Sequence, residues 1–147
     1  MTASTDDCKA TRSTVVVLYA ETRGFTRMSE ILEPDVVLAR IDEFFKMVSA
    51  AVTRHDGVVR SLLNDNAIAT FAGAKEAENA MAAAQDIQRE FGALEEAWLR
   101  DYSFHTAVAI GLLLFWATEG KLHAFDTATI TFVGLVILMM PRIEIGR

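Results

Sequence analysis

Thr14-Val-Val-Val-Leu-Tyr-Ala-Glu-Thr-Arg-Gly-Phe-Thr26 is the stretch on which the reading of the whole chain turns. Thr14 to Ala20 is a short apolar run rich in β-branched residues, the pattern of a central strand covered on both faces. Gly24 then breaks the run, and Phe25, Met28, Ile31 and Leu32 follow at the spacing of a short helix.

Working outward, Pro34 suits the first turn of a second helix, where its missing N–H costs nothing. Val37, Ile41, Phe44, Phe45, Val48 and Val52 recur at helical spacing, and Gly57 after His55-Asp56 is the predicted carboxyl-terminal cap. Val58 to Leu63 and Ala67 to Phe71 are two strand-like runs separated by Asn64-Asp-Asn66, residue types that tolerate the tight turn of a hairpin. From Lys75 to about Arg100, Ala80, Ala84, Ile87, Phe91, Leu94 and Trp98 share one face of a long helix. The order strand, helix, helix, hairpin, helix predicts an α/β sandwich with helices packed on a sheet.

The net charge of −6 and pI near 5.0, with no run of Lys or Arg, argue against nucleic acid as a partner. Cys8, a lone thiol in the polar stretch 1–13, fits a reducing cytosol, and nothing in that stretch resembles an export signal. Residues 1–13 are expected to be a flexible tail. His55, His105 and His123 are too scattered along the sequence to predict a metal cluster.

Leu18-Tyr-Ala-Glu-Thr-Arg-Gly-Phe-Thr26, followed some forty residues later by a hairpin with Asp65 at its tip and by Phe71-Ala-Gly73, resembles the class III adenylate/guanylate cyclases over about residues 14–100. The resemblance implies a ferredoxin-like α+β sandwich of helices on a mainly antiparallel sheet, incomplete here. It also implies that Glu21 and Asp65 stand where the family carries two metal-holding aspartates, with Mg2+ or Mn2+ as the cofactor. Hard divalent cations take oxygen ligands, and a metal pair stabilises both attacking and leaving oxygens. Glu21 is one methylene longer than the family residue, enough to displace a metal by about an ångström. Taken one at a time, Glu21 reads equally as a strand-end carboxylate in solvent and Asp65 as a turn residue bonding its own backbone.

By the same resemblance Arg23, Gly24, Phe25 and Thr26 belong to the substrate-binding turn. Ser61 stands where the family has its purine-recognising Lys. Laid without gaps on the family's last segment, Thr131 to Arg142 puts Leu135 at the purine-selecting Asp, Leu138 at the transition-state Asn, and Arg142 at a catalytic position that it preserves. Losing one preorganised polar contact to developing charge costs about 10²–10³ in rate. The expectation is therefore an inactive or partner-dependent cyclase-like module of cyclic-nucleotide signalling. Its expected partners are a nucleoside triphosphate and a second cyclase domain, as a homodimer or with another chain.

The last third reads differently. Tyr102 to Thr118 carries no formal charge, and Thr127 to Met140 is a second uncharged run, both at or below the roughly 17–25 residues that span a bilayer. Leu113-Leu-Phe-Trp-Ala-Thr-Glu-Gly120, Phe125-Asp-Thr-Ala-Thr129, Gly134 and Leu138-Met-Met-Pro-Arg-Ile143 resemble a segment of the divalent-anion:sodium symporter permeases. Residues 14–101 are thus expected to form the cyclase-like domain. Residues 102–147 form a hydrophobic segment, either further strands of that domain or a permease-like hairpin. The hairpin alternative implies a membrane-associated fusion or fragment with no enzymatic activity, rather than a purely cytoplasmic protein. It expects a chain cut after Arg100 to keep its helical signal.

Overall fold

The computed structural model describes residues 12–118 and 131–138. The elements run β1 (Arg12–Arg23), α1 (Phe25–Ile31), α2 (Pro34–Arg54), β2 (Val58–Leu63), β3 (Asn66–Ala72), α3 (Glu76–Tyr102), β4 (Ala107–Thr118) and β5 (Thr131–Leu138). The strands form one antiparallel sheet in the order β2-β3-β1-β4-β5. β1 starts at Arg12, inside the stretch expected to be tail, and residues 1–11 with Cys8 lie outside the described residues.

Alternation along β1 sends Val16, Leu18, Ala20 and Thr22 into the core, opposite buried Ala67, Ala69 and Phe71 of β3 and Ile110 and Leu112 of β4. α2 and α3 cover this face. α2 buries Val37, Ile41, Phe44, Val48, Ala51 and Val52, and α3 buries Ala80, Ala83, Ala84, Ile87, Phe91 and Trp98. Phe91 meets Phe44 edge-on at 6.1 Å and Trp98 at 6.0 Å between ring centroids, arrangements that add about 0.5–1.5 kcal/mol per pair beyond area burial. The Trp98 indole donates to Glu43 at 3.0 Å, so the largest buried side chain keeps its polar atom partnered.

Two expectations are corrected here. β1 is covered on one face only: among the described residues no helix packs on the other, where Val15, Val17, Tyr19, Glu21, Ile68, Thr70 and Leu113 lie half-buried. Gly57 is not the left-handed cap of α2. That conformation falls on Asp56 (φ 57), whereas Gly57 is required because a Cβ there would stand 2.5 Å from the Phe71 ring and 2.8 Å from Val52 Cγ1. The hairpin tip behaves as read, with Asn64 at φ 56.

The uncharged run after Tyr102 enters the sheet as β4, which pairs with β1 along its length from Arg12↔Thr118 to Arg23↔Ala107. Ile110 and Leu112 join the core, and β5 pairs with β4 from Trp116↔Thr131 to Ile110↔Leu138. Among the described residues no helix is long and apolar enough to cross a membrane.

Candidate functional site

β1 and the β2–β3 hairpin bring Glu21 and Asp65 to the same end of the sheet. Glu21 pairs with Asn66, the residue after Asp65. The Thr22 amide donates to the Asp65 carbonyl at 2.9 Å, and the Thr22 hydroxyl reaches the same oxygen at 3.4 Å. Thr22 is buried, so the bond that ties the hairpin tip to β1 is shielded from water. From the other side, the buried Thr106 hydroxyl donates to the Arg23 carbonyl at 2.8 Å. The two threonines brace the end of β1 from both neighbouring segments.

Both carboxylate residues are half-buried. The Tyr19 hydroxyl, two residues back on the same face, approaches Glu21 Oε2 at 3.4 Å. Burial, reinforced by the negative charge of Glu21, the bond to it and the charge of Asp65, pushes the Tyr19 hydroxyl above its ordinary pKa.

Gly24 holds φ 89, a left-handed conformation that starts α1, and its carbonyl accepts the Met28 amide at 2.9 Å. A Cβ at Gly24 would come within 3.2 Å of Phe104 Cζ. Arg23 is exposed, Phe25 packs partly buried against the core, and Thr26 is exposed with its carbonyl accepting the Ser29 hydroxyl at 2.7 Å. Ser61 lies on β2 opposite Ile68, two strands from Glu21. Leu135 and Leu138 are on β5, opposite Leu113 and Ile110. The edge strand β5 is separated from β1 by β4. Arg142 lies outside the described residues.

Among the described residues no group of three or more His, Cys, Asp and Glu side chains gathers as a metal site. The donor set still fits a hard cation, because Mg2+ is commonly held by one or two carboxylates with water and phosphate oxygens completing its shell. Sequence reasoning singled out Glu21 and Asp65 but not Tyr19, Thr22 or Thr106. Tyr19 was open to inference, since residues i and i+2 of a strand share a face. Thr106 was not, since nothing local announces a contact across eighty residues.

The fold is shared with solved adenylyl and guanylyl cyclase domains. The adenylyl cyclase CyaB from P. aeruginosa matches with a TM-score of 0.67 at 22% identity, over 86% of this chain and 68% of that one. The guanylyl cyclase Cya2 matches at 0.62 and 21%, over 85% and 66%. The dimeric guanylyl cyclase domain of the RhoGC fusion protein from Blastocladiella emersonii matches at 0.63 and 18%, over 85% and 70%. By sequence, residues 57–144, more than half of the chain, match the sodium:sulfate symporter transmembrane region, and the chain belongs to that family. A membrane protein of Cupriavidus necator is 64% identical over 59 residues, 40% of this chain and 11% of that protein. Adenylate cyclase 1 of Rhizobium meliloti is 24% identical over 139 residues, 92% of this chain and 21% of that protein. The chain thus spans no more than about a fifth of either curated relative. The symporter match takes in β2 through β5 of the sheet.

Proposed function

We propose that the chain is a degenerate class III cyclase-like module of cyclic-nucleotide signalling. It binds a divalent cation, Mg2+ or Mn2+, and a nucleoside triphosphate at Glu21 and Asp65, and does not turn the nucleotide over alone. The observation that carries this reading is the Glu21↔Asn66 register with the double contact from Thr22 to the Asp65 carbonyl, which brings residues 21 and 65 to the same end of the sheet. The cation would supply charge neutralisation for phosphate oxygens, while the braced ends of β1 and the hairpin hold the carboxylates in place. Arg23, Gly24, Phe25 and Thr26 form the adjoining turn of the substrate site.

Inactivity follows from Ser61, which has neither the charge nor the reach of the family's Lys, and from Leu135 and Leu138, which offer no hydrogen bond at their positions, with Arg142 as the remaining catalytic candidate. The half-buried apolar face of Val15, Val17, Ile68 and Leu113 favours a second cyclase domain as partner, in a homodimer or with another chain. Residues 14–101 are the proposed cyclase-like domain, with residues 102–118 adding β4 to its sheet, and the cytosol is the proposed location.

With ATP or GTP and Mn2+, the purified protein is expected to form no cyclic nucleotide above background and to bind Mn2+ in a way lost in Asp65→Ala. Turnover that Asp65→Ala abolishes would refute the inactivity, and Mn2+ binding that survives the substitution would refute the site. The symporter-family match favours a second reading, a membrane-associated fragment without enzymatic activity. Partition into a detergent phase would support it, and retention in the aqueous phase would count against it.

A further inference from the structure

We propose that the Tyr19 hydroxyl sets the cation preference of the Glu21–Asp65 site: by engaging one carboxylate oxygen of Glu21 it makes that residue a one-oxygen ligand and disfavours Ca2+. The inference rests on the cation-binding reading above. Tyr19 and Glu21 are residues i and i+2 of β1 and share the sheet face that no described helix covers. The phenol oxygen stands 3.4 Å from Glu21 Oε2, and a phenol keeps its proton at neutral pH, so it is the donor of this pair. Glu21 Oε1 is left for a cation.

The preference follows from how two classes of cation use a carboxylate. Ca2+ takes about six to eight oxygens at roughly 2.3–2.6 Å and accepts both oxygens of one carboxylate. Mg2+ holds a near-octahedral shell at about 2.0–2.1 Å and retains several waters. With Glu21 and Asp65 brought to this end of the sheet, Ca2+ gains most from taking both oxygens of each. A hydrogen bond from Tyr19 to Oε2 competes with that second Ca2+ contact and leaves the one-oxygen mode of Mg2+ intact. The neighbouring strand leaves room for the waters that Mg2+ retains. Opposite Tyr19 and Glu21, β4 presents only Gly111 and Ala109, and a Cβ added at Gly111 would meet nothing within 4 Å. The length of Glu21 belongs to the same device. Glu21→Asp would withdraw the carboxylate toward the backbone, whereas the tyrosine oxygen stands at the far end of its ring.

The test is electron paramagnetic resonance of Mn2+ bound to the full chain without nucleotide, titrated with Mg2+ and, separately, with Ca2+. Tyr19→Phe deletes one oxygen from a half-buried side chain and keeps its ring. The Ca2+ concentration that displaces half of the Mn2+ is expected to fall about three- to tenfold relative to that of Mg2+, the scale of one long hydrogen bond to a charged group. In a Glu21→Asp background the same substitution is expected to leave the ratio of the two midpoints unchanged. A merely structural tyrosine would move both cations alike in either background. If Mn2+ binds in an Asp65-dependent way but Tyr19→Phe leaves the ratio unchanged, or shifts it equally in the Glu21→Asp background, the role of Tyr19 is overturned while the cation site stands. If no Mn2+ binds, or if binding survives Asp65→Ala, the cation-site reading is overturned and the inference with it.

Discussion

Replacing Gly57 by alanine places one methyl group where the core has no room. The new Cβ would lie 2.5 and 2.7 Å from Cε1 and Cζ of Phe71 and 2.8 Å from Cγ1 of Val52, all inside contact distance. Phe71 and Val52 are themselves buried, so neither yields without disturbing its neighbours. Overpacking of this kind costs about 1–3 kcal/mol. With a urea dependence of about 2 kcal/mol per molar, the midpoint should fall by roughly 0.5–1.5 M at unchanged slope. Gly92→Ala is the matched control. Gly92 sits in α3 with nothing within 4 Å of its would-be Cβ, so helix propensity alone acts and stability should rise by about 0.5–1 kcal/mol. Urea unfolding followed by helical circular dichroism reads both. A Gly57→Ala midpoint at or above that of wild type would refute the packing argument, because entropy of the unfolded chain would then outweigh the contact with Phe71.

Gly24→Val forces a β-branched residue into φ 89 and toward Phe104, and should cost about 1–3 kcal/mol or more, far more than Arg142→Ala; equal urea midpoints would refute the strained turn. Asp86 accepts from His55 at 2.9 Å and Arg54 at 2.6 Å, and pairs with Arg89, contacts that hold its carboxyl well below the usual range. A folded-state pKa below the unfolded value of about 3.8 means stability present above pH 4 and lost on further acidification, with Glu90 sharing the Arg54 charge. Asp86→Asn should therefore lower the midpoint at pH 6 and flatten its decline between pH 5 and 3, and an unaltered acid profile would refute the linkage. Truncation after Arg100 removes β4 with Phe104, Ile110 and Leu112, and should abolish cooperative thermal unfolding, the reverse of the hairpin expectation. A cooperative melt with retained helicity would restore that expectation.

Much of the scaffold is legible because burial writes itself into periodicity. Val37, Ile41, Phe44, Val48 and Val52 announce the buried stripe of α2, and Asn64-Asp65-Asn66 announces the turn that carries a carboxylate to the sheet end. What stays hidden depends on register and on neighbours distant in sequence. Val58-Val-Arg-Ser-Leu-Leu63 reads as a strand, yet nothing in it tells that Arg60 is inserted between Val59↔Ala69 and Ser61↔Ile68, since such a bulge is defined by what stands opposite. Gly57 reads as a cap because caps are the commonest use of glycine after a helix, and its actual partner, Phe71, lies in another element. The uninterrupted apolar run of β4 carries no period that separates a sheet strand from a membrane segment, and the pairing with β1 along its length is visible only in three dimensions.

The bond from the Thr22 amide to the Asp65 carbonyl makes a native clock for the hairpin tip. A backbone amide trades its hydrogen with solvent only when the bond that protects it opens, so the exchange rate at this one position counts the excursions of Asp65 away from β1. Anything that bridges Glu21 and Asp65 slows that clock without touching the amide itself. A single resonance, native to the chain and requiring no attached dye, would thereby report occupancy of the proposed carboxylate pair without any assay of turnover.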